Sequence, residues 1–584
     1  MIIPKDVTEI YNDDNLIYTF SNCSSSITSL KFEENSKITI IGRYSFFYTN
    51  LESANFSECK ELKFLNESVF QWCFYLKSII LPPNVEAIGD GCFWENYNLT
   101  SIDLPDSVIT LGYSAFAGSG LTTIKFSPNS KLETIRNGCF ASNKNLASID
   151  LPDSVITLGS FAFADSGLTT INISHDSKLE TIGGRCFSKT KLSSIFIPKY
   201  VKTIDGNAFF ECPLNNFTVD PEITNYTIDS KSVYTGTNNS TLFKVFVSYS
   251  GEYIVPSYVT EIYASCFSFC ENITFIKLHD DITSIGSCAF SYCSSLKSFI
   301  INRDITILHD GIFQHCSSLT NVTIPDTITE IEPLAFENCT SLTSIVIPGS
   351  VKYIGYNVFR YCTSLTSIVI PDGITDILPG LFENCTSLTN VAIPETLKYI
   401  YGSSFKYCTS LRSITIPSSV TDIDNYAFGY CTSLRSITFS ASLSYIGQSA
   451  FENCVNLKNI KFLSSSDPIK FSNFYAFIDI PNPMNIYIPG NFTIEDCYST
   501  VFQVRSNLYV TSDTILSENC KEFFGEKSVY VHMDRMTEIK DATTNKVIEY
   551  ISIAIIYPKT KLNRAYDKTR LLYLSSIFAY LNRC

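Results

Sequence analysis

The chain repeats itself every 23 residues, and that period limits the fold more than any other feature. Phe267, Phe290, Phe313, Phe336, Phe359, Phe382, Phe405, Phe428 and Phe451 are each 23 residues apart. An earlier set, Phe70, Phe93, Phe116, Phe140, Phe163, Phe187 and Phe209, runs at intervals of 22 to 24, with Phe47 read as its start. About 17 units result. One such unit cannot bury its apolar side chains by itself. Stacked copies can, because neighbours join their apolar positions into one core. The 584 residues are too many for a single compact core.

The later units share the pattern Leu-x-x-Ile-x-Ile-Pro-x-x-Val-x-x-Ile-x-x-x-x-Phe-x-x-Cys. One copy is Leu342, Ile345, Ile347, Pro348, Val351, Ile354, Phe359 and Cys362. A period of 20–29 residues with this spacing has leucine-rich repeat logic. Ser344-Ile345-Val346-Ile347 alternates and is β-branched, which predicts a short strand. Pro348 ends it, because proline has no N–H to give a ladder. The segment Val351 to Ile354 reads as a second extended piece, and Asn357 to Cys362 as a single helical or 3-10 turn. The expected class is an α/β-type repeat solenoid. Parallel strands line its concave face, and short helical or 3-10 turns with extended segments lie outside. At about 4.8 Å per turn the rod would be on the order of 80 Å long.

The period breaks between Phe209 and Phe267, where 35 residues exceed one unit. The turn signal Gly236-Thr-Asn-Asn-Ser240 between strand-like runs predicts a β-hairpin. The expected organisation is a cap over 1–40, repeats over 41–212, a hairpin insert over 213–252, repeats over 253–463 and a tail over 464–584. In the tail, Leu571, Leu574, Phe578 and Leu581 fall at helical spacing. A terminal amphipathic helix there is expected to cap the open end of the core, or else to meet a membrane surface or a partner.

The formal net charge of −14 and the absence of any basic run exclude a nucleic-acid-binding face of the usual kind. No apolar stretch reaches the 18 or so residues of a membrane span, and the first residues lack the pattern of a secretory signal.

Of 21 cysteines, 16 follow the repeat. Eleven occupy the Phe-x-x-Cys place, from Cys73 and Cys212 to Cys454. Cys92, Cys139, Cys186, Cys266 and Cys288 sit just before the repeat Phe. A zinc site needs converging Cys pairs, and no Cys-x-x-Cys occurs. Stacked turns bring like positions within disulfide range, but give each thiol two equal neighbours. A small buried thiol that fills space is the simplest reading. The five histidines hold no fixed repeat position, although His309 and His315 flank one turn. No catalytic constellation, metal set or cofactor motif emerges. Asn-x-Ser/Thr sequons such as Asn338 and Asn384 matter only on a secretory route.

The residues left outward by the strands are the candidate binding positions. One row is Ile300, Thr323, Val346, Val369, Ala392, Thr415 and Thr438. Beside it run Ser344, Ser367, Asn390 and Ser413. Together they form a nearly uncharged strip that a partner can cover without desolvating ions. Such ladders also simply suit a stacked sheet.

Two stretches carry a family resemblance, Ile347-Pro-Gly-Ser-Val-Lys-Tyr-Ile-Gly-Tyr-Asn-Val-Phe-Arg-Tyr-Cys362 and Phe439-Ser-Ala-Ser-Leu-Ser-Tyr-Ile-Gly-Gln-Ser-Ala-Phe-Glu-Asn-Cys454. They resemble the BspA-like leucine-rich repeat family over roughly residues 40 to 463. The resemblance implies a non-enzymatic surface antigen or adhesin that binds a protein or glycan partner, with no catalytic residues to transfer. The alternative is an intracellular scaffold for protein–protein interaction with the same geometry.

Overall fold

The computed structural model describes residues 1–10, 20, 27–439 and 442–462, then 470–471, 476, 485–488, 493–494, 507–511, 515–516, 530–540 and 547–557. The architecture is a parallel-strand β-solenoid of about 19 turns. The chain divides into two compact units, Met1–Leu365 and Thr366–Cys584.

In the first unit each turn has three sides. The first is a strand of three or four residues. Ser298–Ile300 pairs in parallel with Asn321–Thr323, setting Phe299 beside Val322 and Ile300 beside Thr323. The period of two turns Phe299 inward and Ile300 outward. Pro325 then ends the strand, and its carbonyl accepts from the Ile328 N–H to close a turn. The second side is a two-residue strand: Ile307–Leu308 pairs with Glu330–Ile331, and that with Tyr353–Ile354. The third side is the corner that carries the repeat Phe. Leu342, Ile345, Ile347, Val351, Ile354, Phe359 and Cys362, fixed by the repeat, are all buried. One expectation fails locally. Ser344 to Ile347 keeps its buried-exposed alternation but is not a strand.

The corners differ from expectation. With Phe209 excepted on its N-terminal side, the residue two before each ladder Phe and the residue two after it lie in the left-handed region. Cys288 (φ 55°) and Tyr292 (φ 58°) flank Phe290, and Leu334 (φ 61°) and Asn338 (φ 58°) flank Phe336. Left-handed residues four apart interrupt any α-helix. The freed N–H groups bond sideways instead. Cys288, Phe290 and Tyr292 donate to the carbonyls of Asp310, Ile312 and Gln314 on the next turn. Among the described residues helix is confined to the 3-10 turn Thr237–Asn239. The solenoid is therefore of β rather than α/β type.

The repeat Phe side chains stack as a column inside the corner. Phe70–Phe93, Phe93–Phe116 and Phe116–Phe140 have ring centroids 5.4, 5.1 and 5.5 Å apart and are nearly parallel. Each such pair adds about 0.5–1.5 kcal/mol beyond burial. The column passes through Phe46, one residue earlier than the spacing suggested, and Phe20 stacks beyond it, 5.1 Å from Phe46 by ring centroids. Phe46, not Phe47, is fully buried and stacks on Phe70 at 5.4 Å, while Phe47 packs outside it against Trp72.

Between Phe209 and Phe267 the column is interrupted. Ser232–Thr235 pairs antiparallel with Thr241–Val245, whose Thr241 and Leu242 rejoin the parallel sheet at Glu261 and Ile262. Lys244 is buried here, and its Nζ donates to the carbonyls of Ser265 and Ser268, each at 3.1 Å.

In the second unit Ser367–Val369 pairs with Asn390–Ala392, and Ser413–Thr415 with Ser436–Phe439 and then Asn459–Phe462. Phe382, Phe405, Phe428 and Phe451 form their own stacked column at 5.1–5.3 Å. Asn485–Ile488, Asn507–Thr511 and Tyr530–Lys540 continue the parallel sheet, and Val547–Tyr557 closes it antiparallel. The helix expected at Leu571, Leu574, Phe578 and Leu581 lies outside the described residues.

Candidate ligand-binding face

The strand side of each unit presents the outward positions picked from the sequence. In the first unit Ile300 and Val346 are 67% and 81% exposed, with Thr323 exposed between them in the row and Ser344 exposed beside it. In the second unit Val369 is 66% exposed, and Ala392, Thr415, Thr438, Ser367, Asn390 and Ser413 are also exposed. Their outward direction follows from the neighbours. Ile368, Val391, Ile414 and Ile437 occupy the inward places of the same strands and are buried. Registered pairing sets Val369 beside Ala392 and Thr415 beside Thr438.

One feature of this face was missed. The position before the Ser/Asn row is Thr366 and Thr389, then Arg412, Arg435 and Lys458, all exposed. Arg435 donates its backbone N–H to Arg412, and Lys458 donates its own to Arg435. The three cations thus stack in register along the margin of the neutral strip. Its signal in the sequence is a basic residue at the same 23-residue interval, one place before the Ser/Asn row. In the first half of the chain the equivalent face is more charged, with Lys125 paired to Asp103 at 3.4 Å and Asn172 bonded to Asp150 at 2.6 Å.

The cysteines resolve as structure. All seventeen in the described residues are buried free thiols, while Cys23, Cys497, Cys520 and Cys584 lie outside those residues. Their common bond explains the slot. Cys293, Cys316, Cys339 and Cys362 donate Sγ–H to the carbonyls of Phe267, Phe290, Phe313 and Phe336 on the preceding turn, at 3.1–3.3 Å. In the second unit Cys408, Cys431 and Cys454 do the same to Phe382, Phe405 and Phe428. Where the slot holds no Cys it holds another small donor. Asn96, Ser119 and Asn143 reach the carbonyls of Phe70, Phe93 and Phe116. The place therefore favours a compact side chain able to donate, not a thiolate, and among its described occupants other than Cys only Ser166 has no partner. Burial pushes these thiols away from ionisation.

The two flanking histidines serve packing rather than a shared site. His309 Nδ1 lies 3.1 Å from Glu332. His315 stacks on Tyr292 with centroids 4.2 Å apart and bonds Asn338. Burial lowers the His315 pKa, favouring the neutral ring. Among the described residues no three His, Cys, Asp or Glu side chains converge on a metal-sized site. No helix among them is long and apolar enough to cross a membrane.

Residues 1–122, 110–239, 243–366 and 353–480 match the description "BspA type Leucine rich repeat region (6 copies)". Among solved structures, a leucine rich cell surface protein from Faecalibacterium prausnitzii is 25% identical, covers 57% of this chain and 83% of its own, and gives a TM-score of 0.44. A leucine-rich repeat protein from Eubacterium ventriosum is 22% identical over 65% of this chain and 83% of its own, with a TM-score of 0.38. The pneumococcal vaccine antigen PcpA is 18% identical over 75% of this chain and 83% of its own, with a TM-score of 0.29. No curated protein matches the chain.

Proposed function

The chain belongs to the BspA-type leucine-rich repeat family, and from that footing we propose that it is a non-enzymatic binding protein that recognises a protein or glycan partner as a surface antigen or adhesin. The observation that carries this reading is the exposed row Ile300, Thr323 and Val346 in the first unit and Val369, Ala392 and Thr415 in the second. Aliphatic and hydroxyl side chains held at fixed spacing on a rigid sheet lose little entropy when covered. A partner that buries them gains roughly 25 cal/mol per Å2 of apolar surface. The backbone beneath Ile300, Thr323, Val369, Ala392 and Thr415 is already paired in ladders, so covering those strands leaves their main-chain groups bonded. Accessibility tests the surface assignment. An antibody against the chain, or an external protease, reaches it on intact cells. Signal that appears only after permeabilisation overturns the surface reading.

A further inference from the structure

The corner side of the first unit carries a cleft that the repeat does not require. It measures about 440 Å3 and is lined by Tyr44, Phe47, Trp94 and Tyr113, with Glu67, Gln71 and Asp90 between them and Ser68, Gly91 and Ser114 as small residues. The wall positions follow the repeat. Phe47, Gln71 and Trp94 each stand one residue after a ladder Phe. The next three turns place Ala117, Ala141 and Ala164 there, so the aromatic wall is local to these turns. Gly91 sits in the left-handed region at φ 57°, and a Cβ there would lie 3.3 Å from Ser68 Oγ and 3.9 Å from Gln71 Oε1. Trp94 and Tyr113 stay 39% and 47% exposed. Trp72 continues the aromatic surface, 5.1 Å from Phe47 and 6.5 Å from Trp94 by ring centroids. The two tryptophans of the entire chain therefore lie at this cleft or against its wall.

We infer that this cleft binds a neutral oligosaccharide. Flat aromatic faces take the apolar C–H face of a sugar ring, and the polar lining takes its hydroxyls. The lining keeps acceptor capacity beyond its own bonds: the remaining lone pairs of the Glu67 and Asp90 carboxylates and the amide oxygen of Gln71. It therefore suits a ligand with many donors. A cation is disfavoured because Glu67 is already held by Arg43 at 3.3 Å and by the Tyr44 hydroxyl at 3.2 Å, and Asp90 accepts the Tyr113 N–H at 2.8 Å. The Arg136 guanidinium also lies over the Tyr113 ring, 5.1 Å from its centroid. A proline-rich peptide would also favour aromatic walls, but it offers few donors to an acceptor lining. The site is on the corner side, so it does not depend on the strand-face reading.

The tryptophans make the test direct. The full chain is titrated with a panel of neutral oligosaccharides of glucose, galactose, mannose and N-acetylglucosamine while tryptophan emission is followed. A saturable change in emission is expected with at least one of them. Trp94→Ala makes this turn like its neighbours with Ala117 and Ala141. Gly91→Phe fills the cleft with a residue that Phe161 shows is tolerated at the same left-handed place, at φ 59°. Both variants should unfold with the same cooperativity as wild type and bind at least about ten-fold more weakly by calorimetry. Val346→Glu on the strand face should bind the sugar as wild type does. The proposal is overturned if no oligosaccharide changes the emission, if both variants bind undiminished, or if only a proline-rich peptide competes for the site.

Discussion

At the scale of single residues, the recurring Cys is a hydrogen-bond donor in a place too small for most others. Cys339 donates to the Phe313 carbonyl at 3.2 Å, which also accepts the Cys316 N–H. Cys339→Ser keeps a donor and should cost under about 1 kcal/mol. Cys339→Ala nearly matches Ser in volume but loses the bond, and should cost about 1 kcal/mol more than Ser. Urea unfolding of the two variants checks the order, and equal losses would show that only volume matters. The buried thiol was legible from its spacing. Its partner was not, because a bond to a carbonyl 26 residues back leaves no residue-type signature. A hint existed in Asn96, Ser119 and Asn143, which share the slot and share only a donor with Cys. The one-residue error at Phe47 has a similar cause. Two adjacent Phe fit a period that drifts between 22 and 24, and only burial separates them.

At the scale of elements, the strands were legible and the corners were not. Alternation and β-branching mark Ser367-Ile368-Val369 directly. The left-handed corner places hold residues of many types, Tyr292 and Leu334 as well as Gly91, Asn338 and Asn384, so the Gly or Asn signal that usually marks such a backbone is diluted. The non-glycine residues among them store strain, roughly 1–2 kcal/mol each against a right-handed residue. Leu334→Gly should relieve part of it. Offset by the greater freedom of glycine when unfolded, the net gain is up to about 1 kcal/mol. Thermal unfolding shows this as a raised midpoint, and a lowered one would mean that the half-buried Leu334 side chain packs for more than its backbone costs. The basic margin makes the opposite case, where stacking itself costs. Arg435 lies between Arg412 and Lys458 in register, and like charges across neighbouring strands repel. Arg435→Thr, which copies Thr389, should stabilise by about 0.2–1 kcal/mol at low salt and lose that gain at high salt. Equal effects at both salt concentrations would exclude repulsion as the cause.

At the scale of the whole molecule, many buried thiols act together. Burial raises Cys73 and Cys212 from the ordinary 9.0 to about 11, and Cys59, Cys270 and Cys454 to about 12. The folded state therefore keeps protons that the unfolded chain gives up above pH 9. Their contribution is fully present below that pH and is lost as pH rises toward the folded values. Each thiol removes up to about 1.4 kcal/mol per pH unit in that window. Stability measured by urea unfolding should hold to about pH 9 and fall steeply above it; a flat profile to pH 11 would contradict the buried, protonated thiols. The repeat makes such sums possible, because positions that serve the stack recur in nearly every turn while the outward positions vary. That division is also why architecture was readable from the sequence and the partner was not.

The central claim is that the outward strand positions hold the ligand. It is tested most directly by equilibrium binding of the full chain to a surface that carries its partner, comparing wild type, the Val369→Glu/Thr415→Glu pair and Gly91→Phe. A buried, unpaired carboxylate is expensive, so the strand-face pair should lose at least about ten-fold in affinity while Gly91→Phe leaves that interaction unchanged. Undiminished binding by the strand-face pair, with its fold intact by circular dichroism, would contradict the account.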